Sequence, residues 1–320
     1  MKKFISILIM FILLIITYEI LSEAPTIVAT VKYSFQIWIG NIFPALFPFF
    51  VLSEILINFG FVELFGELFK HLFEKVFKIN GNASFIFFMS LISGFPSSSK
   101  YTRELYLENK LNEFEATKIL MFSHFSNPLF ILGTVYTFIN DQKMCFLIMI
   151  AHYLSNIIIG LLIRNYHQSK IIKTKFSIKK ALSKMHNKRI SNKKPISIII
   201  TNSLINSINT LLLILGVVTT CLIITTIIDN NFHLPLIFKT ILSGSLEITQ
   251  GLKHVSLLNC SLFIKMILIT SFLSFGGISV HMQIISIISD TKIRYLPFLL
   301  ARILHVIISI ILVIIFFNLM

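Results

Sequence analysis

Long apolar runs dominate this chain, and the polar interruptions do not all fall where simple loops between membrane spans would put them. Residues 4–21, 35–59, 119–139, 145–163, 204–228, 262–288 and 296–317 are apolar over about the length a helix needs to cross ~30 Å of hydrocarbon. Two further apolar stretches are too short. Residues 84–92 end in LISGFPSSSK, and residues 234–249 break within LSGSLEITQG. A short apolar arm, a Gly/Pro/Ser tip and a polar return arm predict a re-entrant hairpin. Backbone without helical hydrogen bonds is tolerated at membrane depth only where protein or a water-filled cavity surrounds it. Two of the long runs are themselves broken, at SHFSNP (123–128) and at SFGGISVHMQ (274–283). The run 35–59 contains Pro44 and Pro48, which predict a kink, and Glu54, a carboxylate whose cost in lipid predicts a cavity or a partner. Residues 61–78 interleave aromatic and charged positions and read as an amphipathic helix on the cytoplasmic surface.

Composition agrees with a polytopic helical membrane protein. Of 320 residues, 55% are hydrophobic and 13% charged, against about 25% charged in soluble domains. The net charge of +14 is concentrated rather than spread. Eleven Lys or Arg and no acid lie between Arg164 and Lys194, which marks a cytoplasmic loop beside anionic lipid and argues against nucleic acid. Lys2 and Lys3 place the start on the same side, with residues 4–21 read as an uncleaved first span; Ser22 and Ala24 resemble a cleavage site, but Pro25 fits one poorly. Alternating the spans then puts the C-terminus outside. Cys145, Cys221 and Cys260 are scattered and give neither a disulfide framework nor a metal site.

The two halves repeat at an offset of about 150 residues. LISG at 91–94 faces ILSG at 241–244, AHYLSNIIIGLL at 151–162 faces ARILHVIISIIL at 301–312, and SNP at 126–128 falls opposite SFGG at 274–277 with a small shift. Each half reads span, re-entrant hairpin, interrupted span, span, and the halves begin on opposite sides. The fold class expected is therefore an all-α inverted repeat with a substrate site at the midplane between the paired breaks. The expected organisation is an N-terminal span and external loop (1–34), a first repeat (35–163), a basic cytoplasmic loop (164–197) and a second, inverted repeat (198–320).

Taken together, IFPALFPFFVLSEILINFG, SGFPSSSK, FSNPLFILG and SFLSFGGISVHMQ followed by PFLLARILH resemble the sporulation integral membrane protein YlbJ family, within the nucleoside-recognition (Gate) group. The resemblance runs over roughly residues 35–310. It implies a hairpin arrangement like that of concentrative nucleoside transporters and a role in endospore formation. It also implies passage of dipicolinic acid from mother cell to forespore, across the outer forespore membrane. Three serines stand where the family's SGFP loop is expected to carry a small residue or glycine, near Ser98.

The breaks supply the candidate chemistry. Helix ends at a hairpin tip favour anions, and Ser97, Ser98, Ser99 and Lys100 add hydroxyls and a charge. Glu247, Thr249 and Gln250 make the second tip polar. Ser126 and Asn127, with Gly276, Gly277, Ser279, His281 and Gln283, supply donors, acceptors and close backbone approach. The plainer reading is that these groups satisfy one another at broken helices. For Lys100 it is a pair with Glu104, one turn on, or exposure to water. His152, Arg302 and His305 lie within spans and make either a proton relay or interior hydrogen bonds. No nucleophile–base–acid set, P-loop or dinucleotide loop is present, so the expectation is a transporter rather than an enzyme, with no cofactor. Its expected partners are a small-molecule substrate, the lipid bilayer and H⁺ or Na⁺ as coupling ion. The residues leave the oligomeric state open. They also leave open a nucleoside as substrate, or a non-transporting scaffold of the spore envelope.

Overall fold

The computed structural model describes residues 2–167, 177–232 and 234–319. Among the described residues there is no strand. The helices, in order, are α1 (Lys2–Ser22), α2 (Ala24–Ile37), α3 (Phe43–Asn58), α4 (Phe61–Leu68), α5 (Lys70–Leu72), α6 (Ala83–Ser93), α7 (Ser97–Leu107), α8 (Glu113–Phe122), α9 (Tyr136–Ile139) and α10 (Gln142–Leu162). Then follow α11 (Ile178–Ser191), α12 (Ile196–Asn231), α13 (Leu236–Leu246), α14 (Ile248–Leu257), α15 (Leu262–Phe275), α16 (Gly277–Ile288) and α17 (Tyr295–Asn318). Wider π-turns at Trp38–Ile42, Phe73–Phe77 and Phe130–Val135 link or extend them. Six stretches among the described residues are long and apolar enough to cross a membrane: Phe4–Ser22, Ala24–Asn58, Gln142–Leu162, Ile196–Asn231, Leu262–Ile288 and Tyr295–Asn318.

Two expectations change. Residues 23–34 are not a loop: Pro25, pre-set for a first helical turn, starts α2 directly after Glu23, and α2 runs on through the Trp38–Ile42 π-turn into α3. That π-turn precedes Pro44 and accommodates its missing donor. The basic segment is not wholly a loop either. Its residues 168–176 lie outside the described residues, but 178–191 form α11, which docks on α4. Lys180 and Lys184 reach the buried Glu67 at 3.3 and 2.6 Å, and Arg189 stacks on Phe59 at 4.5 Å. The amphipathic segment 61–78 is thus an intermediate layer. Its phenyl rings pack inward on α6, as Phe69 on Phe88 (4.5 Å) and Phe73 on Phe87 (5.7 Å), while Glu67 holds α11 outside.

The packing has two apolar bodies. One joins α2–α3 to α12 around Phe50, Leu211, Ile214 and Val218. These helices run antiparallel, with Thr30 against Thr226 (3.0 Å), Ser34 against Thr219 (2.8 Å) and the Trp38 indole donating to the Leu211 carbonyl (2.9 Å). Such short polar contacts are how helices associate where lipid removes the hydrophobic drive. The other body holds the hairpin arm α6, the broken helices, α10 and α17. Both hairpins form. In the first, α6 and α7 meet at Gly94–Pro96. In the second, α13 and α14 meet at Glu247. ILSG does not make the second bend: Gly244 stays helical, and the extended Glu247 (φ −146°, ψ 125°) turns the chain three residues later. Gly244 serves packing instead, since a Cβ on Gly251 would collide with its Cα.

Candidate functional site

The chain unwinds at two places in its interior. The first is 123–127, between α8 and a helical stretch that runs to the end of α9. Unwinding exposes the last carbonyls of α8, and Arg302 of α17 meets them. This guanidinium, fully buried, donates to the carbonyls of Met121 and His124 (3.4 Å for His124), to Asn156 Oδ1 (3.2 Å) and to His305 Nδ1 (2.8 Å). A cation at the carbonyl end of a helix also answers its dipole. His152 Nε2 accepts from Ser126 N (2.9 Å), and the Tyr153 hydroxyl donates to the Ser126 carbonyl (3.0 Å). His305, whose Nδ1 accepts from Arg302, donates through Nε2 to the backbone oxygen of His152 (2.9 Å). The two rings sit 4.7 Å apart without a ring–ring hydrogen bond. His152, Arg302 and His305 therefore hold the first break open; Arg302 and His305 are joined side chain to side chain, and His305 meets His152 through its backbone oxygen.

The second break is a turn at Gly276 (φ +94°) and Gly277 (φ +66°), the left-handed region that glycine enters without strain. His281, one turn later, donates through Nε2 to the Phe275 carbonyl (3.0 Å) at the end of α15 and takes the Tyr295 hydroxyl on Nδ1 (2.9 Å).

The first break, both hairpin tips and α16, which begins at the second break, converge on one pocket, on the seam between the two apolar bodies; Gly276, Gly277 and His281 themselves lie outside its lining. Ser126 and Asn127 come from the first break, Ser279 and Gln283 from α16. Glu247 and Thr249 come from the second tip, and Gly94 and Phe95 from the first. Asn41, Ile214 and Val218 close it from α2–α3 and α12. The tip of the first hairpin presses on the first break: Gly94 takes φ +77°, and a Cβ there would lie 2.8 Å from Asn127 N. Asn127 caps the helical stretch beyond the break, its Oδ1 accepting from Phe130 N at 2.6 Å, and its amide reaches Ser93 O at 3.4 Å. Glu247 caps α14, accepting from Gln250 N (2.9 Å) and from the Thr249 hydroxyl. The cavity is ≈ 60 Å³, room for a few waters. The Ser126 hydroxyl is buried against it without a partner.

The other candidates lie elsewhere. Ser97 bonds Ser93 Oγ (2.7 Å) and the Gly94 carbonyl, and Ser99 bonds Pro96 O (2.7 Å); the Ser98 hydroxyl is buried without a partner. The N–H groups of Ser97, Ser99 and Lys100 are taken by Gly94 O and Pro96 O, so the first tip offers fewer free donors than its sequence suggests. Gln250 turns its side chain toward His254. Lys100 points away from the pocket into a second cavity of ≈ 560 Å³, where it pairs with Glu54 at 2.8 Å and sits 5.2 Å from the Phe50 ring. Among the described residues its partner is Glu54 rather than Glu104. Glu54, expected to need a cavity or a partner, has both. His124 was not among the candidates although it lies inside the quoted SHFSNP. Fully buried, it stacks on Phe95 at 4.9 Å, with both ring nitrogens unpartnered.

Among known proteins, the chain is 32% identical to the sporulation integral membrane protein YlbJ of Bacillus subtilis (strain 168), over 95% of this chain and 81% of that relative. The chain belongs to the YlbJ family. A family profile described as nucleoside recognition, Gate, matches residues 39–142, which span α3, the first hairpin, the first break and the start of α10. No solved structure matches. In this YlbJ-family protein the Gate match thus holds the half of the pocket wall built by Gly94, Ser126 and Asn127, and the second tip and α16 supply the other half.

Proposed function

We propose that this protein is a transporter of a small anionic metabolite in sporulating cells, and that the metabolite is dipicolinic acid. The observation that carries the reading is the convergence on one pocket of helix starts from both halves: the stretch after Asn127, α14 and α16, with α7 just behind Gly94 and Phe95. Helix N-termini present partial positive charge, and half-helices pointed at a midplane site are the means by which transporters hold carboxylates. Among the described residues no basic side chain lines the pocket and one acid, Glu247, does, so the attraction for an anion rests on these dipoles with the hydroxyls and amides of Ser126, Asn127, Thr249 and Ser279. The paired order of span, hairpin, broken span, span supports two inverted repeats. The basic α11 supports a cytoplasmic position for the face that carries it. The pocket as it stands is too small for a metabolite, so a hairpin must move to admit one.

A nucleoside is the second reading, favoured by the Gate match and by the amide-rich wall of Asn41, Asn127 and Gln283. Purified protein in liposomes, assayed for uptake of labelled dipicolinate with unlabelled nucleosides as competitors, separates the two. Uptake that Ser126→Ala or Glu247→Gln reduces at equal protein supports the reading. Uptake blocked by nucleosides moves the substrate to that class, and no uptake of either leaves a membrane scaffold.

A further inference from the structure

The second cavity holds a charge arrangement that the pocket does not use. Lys100 stands there between two carboxylates. Glu54 of α3 holds its ammonium at 2.8 Å. Glu104 lies one turn further along α7, lines the same cavity, and its carboxylate has no ion pair among the described residues. Every other charge nearby is committed. On α7, Arg103 grips Asp290 of the α16–α17 turn at 2.8 Å. Lys110, beyond α7, binds Glu63 of α4 (2.8 Å) and Glu108 (2.7 Å), and Glu108 also meets Lys188 of α11 at 3.6 Å. Helix α12 contributes Asn206, Asn209, Thr210 and Leu213 to this wall, none of which titrates.

We propose that Glu104 is a proton-binding site and that Lys100 switches partner with its state. With Glu104 protonated, the ammonium stays on Glu54 and ties the return arm of the first hairpin to α3. When Glu104 releases its proton to the cavity water, a carboxylate appears four residues from Lys100 on the same helix, within reach of an i,i+4 pair. The ammonium moves to it, the tie to α3 opens, and Glu54 keeps only the Asn206 amide at 3.4 Å. Burial, then the carboxylates of Glu54 and Glu108, push the Glu104 carboxyl up to about 8, so both states are populated near neutrality. The place of this switch in a transport cycle rests on the reading above; the proton site itself does not.

Two measurements on the purified full chain test it without reading flux. In infrared spectra recorded across pH, the wild type should lose one protonated-carboxyl band as pH rises through about 8. Glu104→Gln should lack that band, and Glu104→Asp, which keeps a carboxyl, should retain one. A nitroxide pair at Leu52 and Leu107, exposed positions on α3 and α7, should then lengthen its distance over the same interval in the wild type and stay fixed in Glu104→Gln. A band that persists unchanged in Glu104→Gln overturns the proton site. A wild-type distance that does not move with pH overturns the switch. A protein that carries no substrate would still give one answer or the other.

Discussion

The two breaks do the same thing to the backbone by different means. At 123–127 five residues leave the helix, and side chains from α10 and α17 take over their hydrogen bonds: Arg302, His152, Tyr153 and Asn156 all touch this segment. At 276–277 two glycines turn the chain within a single step, and one histidine suffices for the freed carbonyl. A wide opening has to be propped by its neighbours, whereas a sharp one is written into the local backbone. The wide break also presents more groups to the pocket.

Removing the prop from the wide break should have the largest effect. Arg302→Met leaves the Met121 carbonyl and the Asn156 amide oxygen facing apolar surroundings, at about 1–3 kcal/mol for each unpaired group, while the His124 carbonyl keeps the Asn156 amide donor at 2.8 Å. A loss of about 3 kcal/mol or more is expected in thermal melting in detergent. A melting temperature equal to wild type would mean the break supports itself. Gly276→Ala comes next. The left-handed conformation costs a side chain ~1–2 kcal/mol, and the new Cβ would stand 3.2 Å from His124 Nε2. If Gly276→Ala proved harmless while His281→Ala were severe, the contrast between the breaks would be reversed. His281→Ala should cost about 1–2 kcal/mol, for its hydrogen bonds to the Phe275 carbonyl and from the Tyr295 hydroxyl.

Much of this architecture could be read from residue order, and the reason is local. Gly, Pro, Ser and Asn in an apolar run disturb the helix where they stand, so both breaks and the first tip lie where the sequence marks them. Pro25 carries an equally local signal for the start of α2, although in the sequence it bears first on the cleavage site. What stayed hidden depends on contacts between distant residues. Nothing in SGFPSSSK says that Lys100 will find Glu54, 46 positions back. Titratable groups inside spans read equally well as a relay or as scaffolding until the carbonyls they meet are known, and for Arg302 those belong to α8. Gly244 looked like a bend because glycine suits both turns and close packing; only the neighbouring Gly251 and Phe272 decide which.

The hairpins differ in the same spirit as the breaks, and this difference is read against pH. The return arm of the first tip carries Lys100 and Glu104 into a wet cavity, while the second tip caps its own arm with Glu247. Because folding raises the Glu104 carboxyl to about 8, the fold favours its protonated form. That contribution is complete below the ordinary carboxylate range and fades as pH rises through about 8. Glu104→Gln should flatten this decline in a melting series against pH, and an unchanged slope would remove Glu104 from the switch.

Arg302 also bears on how the molecule is assembled. An arginine about a third of the way along a span, as Arg302 is in α17, raises the cost of threading that helix into the bilayer by up to ~2.5–3.5 kcal/mol, the value at a helix centre on insertion scales. Yet α17 is otherwise among the most apolar stretches of the chain. Apart from its neighbour His305, every acceptor that Arg302 uses lies between residues 121 and 156, so it has left the ribosome well before α17. The receiving socket can be folded when α17 arrives, and the charge enters a prepared berth rather than bare lipid. The earlier segment thereby acts as an intramolecular template for α17.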